Sequence, residues 1–130
     1  MRHFLHSTHS HNCKLKSALI MEMDEILKLC KLTKEELKQF YRNIEGIDKT
    51  LDHSRAYRTM MNQIRRDLLK FIDTEIRTMD QVKNEFKNES DQLDYHLSML
   101  EQLHYIMNTE TGWKATPRGI GFLSNAIMGD

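Results

Sequence analysis

Residues 94–123, DYHLSMLEQLHYIMNTETGWKATPRGIGFL, decide how this chain is read. Leu97, Leu100 and Leu103, with Leu93 just upstream, recur at helical spacing and predict one buried helix face. Immediately after them, residues 105–107 and 113–115 read as two short strands. They are joined by Asn-Thr-Glu-Thr-Gly, a hairpin loop with its glycine near the end. Thr116-Pro117 then has the form of a helix start. A threonine hydroxyl accepts from the free N–H groups of the first turn, and proline fits there because its missing N–H has no partner to lose. Ile120, Leu123 and Ile127 continue the apolar rhythm beyond it.

Working back toward the N-terminus, Asn88, Glu89 and Ser90 form a turn, and Ser90 or Asp91 is expected to cap the leucine helix. Asp80 is expected to cap a short helix that buries Val82 and Phe86, and residues 76–78 read as one extended strand. Residues 54–73 read as a single helix with Tyr57, Met60, Met61, Ile64, Leu68, Phe71 and Ile72 inward. Its opposite side holds Arg55, Arg58, Arg65, Arg66 and Lys70, a basic stripe that is more often a solvated face than a binding one. Farther upstream, LTKEEL is a capping box. Thr33 and Glu36 satisfy each other's backbone, and Leu32 can staple to Leu37. The helix it opens carries Leu37, Phe40, Tyr41 and Ile44 on one face, and Gly46 suits its end. A first helix has Ile26, Leu27 and Cys30 on one side and Glu22, Asp24 and Glu25 in the turn where the helix dipole favours acids.

Composition bounds the function. The chain has 130 residues, 39% hydrophobic and 29% charged, with one Pro and five Gly. That is the size of one domain with a core of its own, mainly helical. Lys plus Arg and Asp plus Glu both number 19, so net charge is zero. Binding to a polyanion must therefore come from a local basic face rather than from the field of the whole protein. Cys13 and Cys30 form no metal-spaced pair and no disulfide framework, which fits a reducing compartment. No apolar run approaches the roughly 20 residues a membrane helix needs, and MRHFLHSTHSHNC lacks the apolar core of a signal peptide. The expectation is a cytoplasmic protein with three parts. These are a disordered His-rich tail (1–20), a helical extension (21–53) and a main domain (54–130).

The order helix, short strand, short helix, turn, helix, two-stranded hairpin, helix resembles a winged helix-turn-helix. LDYHLSMLEQLHYI resembles the recognition helix and wing entry of arsenical-repressor-like regulators, in which a His-Leu pair precedes a second Leu three residues on. GWKATPRGIGFL resembles the second wing strand and the Thr-x-x-Gly helix start of many archaeal and bacterial winged-helix regulators. The resemblance covers a little over half the chain. It implies a DNA-binding transcriptional regulator that pairs as a homodimer on double-stranded DNA, without a cofactor. Residues 80–88 would be the supporting helix and residues 90–103 the recognition helix. Ser90, Gln92, Asp94, Tyr95 and Ser98 would face the major groove, where Gln pairs with adenine and Ser or Tyr reaches base edges or phosphates. Lys114 and Arg118, near the wing, would meet backbone phosphate. The helices at residues 22–45 have more apolar surface than a small domain needs and are the expected dimer face.

The sequence departs from that pattern in three places. His104 stands where the family often has Gly, Asp94 where it often has Ser or Thr, and the family's metal-binding cysteines are missing. Glu85, Glu89, Asp91 and Asp94 also line the expected DNA edge. Duplex DNA carries one phosphate charge per ~1.7 Å of axis, so acids there repel it unless they pair with Lys83 and Lys87 or accept from cytosine. The same scaffold used purely to bind protein is the alternative. There is no phosphate loop, no His-Glu-x-x-His and no nucleophile elbow, so no enzyme is expected. The cluster His3, His6, His9, His11 and Cys13 has good metal donors but reads more simply as a polar tail. His96 is read as packed or half-exposed, Cys30 as core, and Trp113 as packing on the last helix.

Overall fold

A computed structural model of the chain describes residues 22–129, with side chains as far as Asn125. The expected His-rich tail, and the inward placement of Ile127, lie outside what is described. Seven α-helices and one antiparallel hairpin are present among the described residues. In chain order they are α1 (Met23–Leu29), α2 (Lys34–Ile44), α3 (Lys49–Met60), α4 (Gln63–Ile72) and α5 (Met79–Glu85). A 3-10 segment (Lys87–Gln92), α6 (Leu93–Gln102), β1 (Ile106–Thr109), β2 (Gly112–Ala115) and α7 (Pro117–Gly129) follow. The fold is mainly α, as expected. No helix among the described residues is long and apolar enough to cross a membrane.

Local chemistry sets the helix starts. Thr33 Oγ1 accepts from the Glu36 N–H at 3.2 Å, and the Glu36 carboxylate accepts from the Thr33 N–H at 2.9 Å, the reciprocal box the sequence predicts. The expected single helix over residues 54–73 is instead two. Asn62 Oδ1 accepts from the Arg65 N–H at 3.1 Å and opens α4, because an amide that can satisfy a free backbone donor competes with continuing the preceding helix. The break leaves Tyr57 and Met61, both expected inward, 66% and 61% exposed. Helix α3 starts at Lys49, where the Asp48 carboxylate accepts from Thr50 and Leu51, so residue 54 falls inside a helix rather than at its edge. Helix α5 is capped by Thr78 in a box with Gln81, not by Asp80. Helix α6 has no side-chain cap from Ser90 or Asp91, since the 3-10 turn runs directly into it.

The core gathers where α4, α6 and the hairpin meet. Leu68, Leu69 and Ile72 of α4 pack with Leu93, Leu97 and Leu100 of α6, and with Leu103, Ile106, Val82 and Ile120. All are buried, and each such side chain contributes on the order of 2 kcal/mol by leaving water. Ile26 ties α1 into this cluster, while Phe40 is the buried residue of α2. The hairpin pairs Ile106 with Ala115 and Thr109 with Gly112, so its strands are longer than expected and only Glu110 and Thr111 turn the chain. The expected strand at residues 76–78 is one bridge. Arg77 and Trp113 exchange both backbone hydrogen bonds, at 3.0 and 2.7 Å.

Helix α7 approaches the α6–β1 junction closely. A side chain at Gly119 would collide with the Tyr105 carbonyl, which is rigid backbone. Gly119→Ala is therefore expected to cost about 2 kcal/mol or more, because neither partner can move aside cheaply. A lowered denaturant midpoint with an unchanged slope in urea unfolding checks this.

Candidate nucleic-acid interface

The outer face of the 3-10 segment and α6 carries Ser90, Gln92, Asp94, Tyr95 and Ser98, and all five are exposed. The buried leucines alternate with them at helical spacing, so the packing that fixes α6 also turns these side chains outward. Ser98 Oγ accepts from Gln102 at 3.2 Å. Tyr95, 56% exposed, has the Arg65 guanidinium 5.3 Å from its ring centroid and the His96 ring at 5.7 Å. Its ring is thus held from the protein side while its phenol edge stays in water.

The two residues expected to meet phosphate are placed differently. Lys114 is 3% exposed, and its Nζ lies 2.8 Å from Glu36 of α2. Arg118 clamps both Asp52 oxygens, at 2.9 and 2.8 Å, and donates to the Leu103 carbonyl at 3.2 Å. Both cations are committed to internal contacts across long stretches of sequence, which no local pattern signals. Lys114 is buried in its ion pair, whereas Arg118 keeps 26% of its side chain exposed.

Arg65 is a further correction. It leaves the basic stripe for the interior, 9% exposed, donating to His96 Nδ1 at 3.1 Å and to the Thr59 carbonyl at 3.2 Å. Arg66 binds the Met60 carbonyl and Gln63, so Arg55, Arg58 and Lys70 are what remains exposed of the stripe. The acids Glu85, Asp91 and Asp94 are exposed and Glu89 half-buried. Among the described residues none of them forms an ion pair with Lys83 or Lys87. Glu110 at the hairpin tip adds a fifth carboxylate.

His96 is more buried than expected, at 2% exposure, and its Nε2 has no hydrogen-bond partner. Because Nδ1 accepts from Arg65, the neutral ring carries its proton on Nε2. Burial, reinforced by the Arg65 charge and opposed by Glu89, pushes the imidazole below its ordinary value. Cys30 is half-buried beside the Ala115 carbonyl, and burial pushes its thiol up, as for a core cysteine. Trp113 is buried, and its indole N–H reaches Met79 Sδ on α5 at 3.5 Å. No three metal-ligating side chains come together among the described residues.

Comparison of the chain with protein-family models, curated proteins and solved structures found no match.

Two outcomes follow from the buried charges. Glu36→Gln leaves the Lys114 ammonium buried without a counter-charge and is expected to cost on the order of 3 kcal/mol, whereas Glu36→Gln with Lys114→Met recovers most of it. Denaturant unfolding of the two variants measures the difference. For His96, the unfolded ring takes its proton near its ordinary value of about 6.5, while the folded ring resists until lower pH. Its contribution to stability is complete above the ordinary value and is lost as pH falls from there toward the folded value. The melting temperature is expected to fall between about pH 7.5 and 5.5. His96→Asn should flatten part of that slope, and His104, which burial and Arg118 push the same way, contributes to it as well.

Proposed function

We propose that residues from α4 to β2 form a winged helix-turn-helix and that the chain is a DNA-binding transcriptional regulator. The observation that carries this reading is the outward face of α6. Gln92, Tyr95 and Ser98 stand exposed and polar on a helix locked by its leucines, with a supporting helix before it and a hairpin after it. On this reading Gln92 presents its amide to adenine, and Tyr95, Ser90 and Ser98 reach base edges or phosphates. The phosphate contacts pass from Lys114 and Arg118 to the exposed Lys83 and Lys87 on the supporting side. Met23, Leu27 and Leu29 on α1 and Tyr41 on α2, all exposed, are the apolar surface of the proposed homodimer.

The acids favour a second reading, a winged-helix module that binds protein. Glu85, Asp91 and Asp94 are exposed and form no ion pair among the described residues, which suits a basic partner.

Binding to a site selected from random duplexes, titrated across salt concentrations, separates the two. Gln92→Ala is expected to lose on the order of 1–3 kcal/mol on the selected site and little on random DNA. Lys83→Ala and Lys87→Ala should each make the salt dependence shallower by about one phosphate contact. Asp91→Asn with Asp94→Asn should strengthen non-specific binding by removing repulsion. Absence of any DNA binding by that double variant at low salt would overturn the regulator reading and leave the interaction module.

A further inference from the structure

Away from α6, a cleft of about 870 Å³ opens between α1, α3 and α7. Its size is that of a small-molecule site. Ile26, Met60 and Phe122 form apolar walls, and the buried Tyr105 closes one side. Tyr57 and Met61 border it with most of their apolar surface in water. The break at Asn62 is what leaves them uncovered.

The charges of the lining are unbalanced. Its one carboxylate, Asp52, accepts from Arg118 Nη2 at both oxygens. Lys49 has no ion-pair partner among the described residues, and the Arg66 guanidinium reaches only the Met60 carbonyl and the Gln63 amide oxygen. Lys49 opens α3 and the Arg66 guanidinium sits on the carbonyl of Met60, which closes it, roughly 16 Å farther along the axis. One anionic end can therefore answer Lys49 but not Arg66 as well, and Arg66 already has two acceptors. The cleft suits a ligand with an apolar body lying along α3 and one anionic end at Lys49. A neutral apolar ligand would leave Lys49 unanswered, and a small anion would leave the walls wet.

We propose that this cleft binds an amphipathic carboxylate of the medium-chain fatty-acid class, its carboxylate at Lys49 and its chain running along α3 against Ile26, Met60 and Phe122. The site is separate from the outer face of α6 and does not depend on whether DNA is the partner there.

Decanoate is the probe, titrated into the full chain by calorimetry and by amide chemical-shift mapping, with decanol and acetate as controls. Saturable one-to-one binding of decanoate is expected, shifting the amides of Ala56 and Gly121, with acetate silent. Lys49→Glu, at an exposed position in the first turn of α3, should keep the fold by circular dichroism and weaken decanoate at least tenfold while leaving decanol unchanged. Non-saturable binding, shifts that avoid the cleft, or equal decanoate affinity in parent and Lys49→Glu would overturn the proposal. So would Ala56 and Gly121 shifts that follow protein concentration and ignore decanoate, which would make the cleft a contact between copies.

Discussion

The C-terminal end of α6 is fixed at the corner where it turns into the hairpin and meets α7. The Thr116 hydroxyl donates to the His104 carbonyl at 2.6 Å and accepts from the Gly119 N–H at 3.2 Å. The Thr116 N–H reaches the Tyr105 carbonyl at 2.9 Å. Arg118 answers the Leu103 carbonyl, one of the acceptors a helix end leaves open. His104 takes the left-handed conformation, φ 61°, that lets the chain reverse there. One threonine thus satisfies the end of one helix and the start of the next. The orientation of the outer α6 face relative to the hairpin follows from that joint.

The same corner explains the distribution of charge. Arg118 links it to α3 through Asp52, and Lys114 links β2 to α2 through Glu36. Arg65 runs under α6 to His96 without any carboxylate partner. These three cations act as struts between helices distant in sequence. The long apolar stems of Lys and Arg suit them to that role, since they pack as they cross the interior. The result is a protein of zero net charge in which α6 exposes Asp94 and Glu101 and no cation of its own.

What the sequence disclosed divides along the range of the interaction. The Thr33–Glu36 box, the Thr116-Pro117 start and the leucines of α6 are local or periodic signals, and all three are found where they were read. Asn62 was also a local signal, but the unbroken apolar rhythm around it outweighed one capping residue. Likewise Asp80 concealed the Thr78–Gln81 box two residues earlier. Ser90, Gln92, Asp94, Tyr95 and Ser98, which the winged-helix resemblance turns outward, are all exposed, because the leucines of α6 take the opposite side. The fates of Lys114, Arg118 and Arg65 were not legible, because their partners lie 78, 66 and 31 residues away.

The sheet itself limits how copies of this chain can meet. β2 is the middle of the three extended pieces, paired with β1 on one side and with Arg77 alone on the other. One free edge is therefore four residues long and the other a single residue. Edges that short make poor templates for strand addition between molecules. Among the described residues, surface for self-assembly is therefore offered by the helices rather than by the sheet edges.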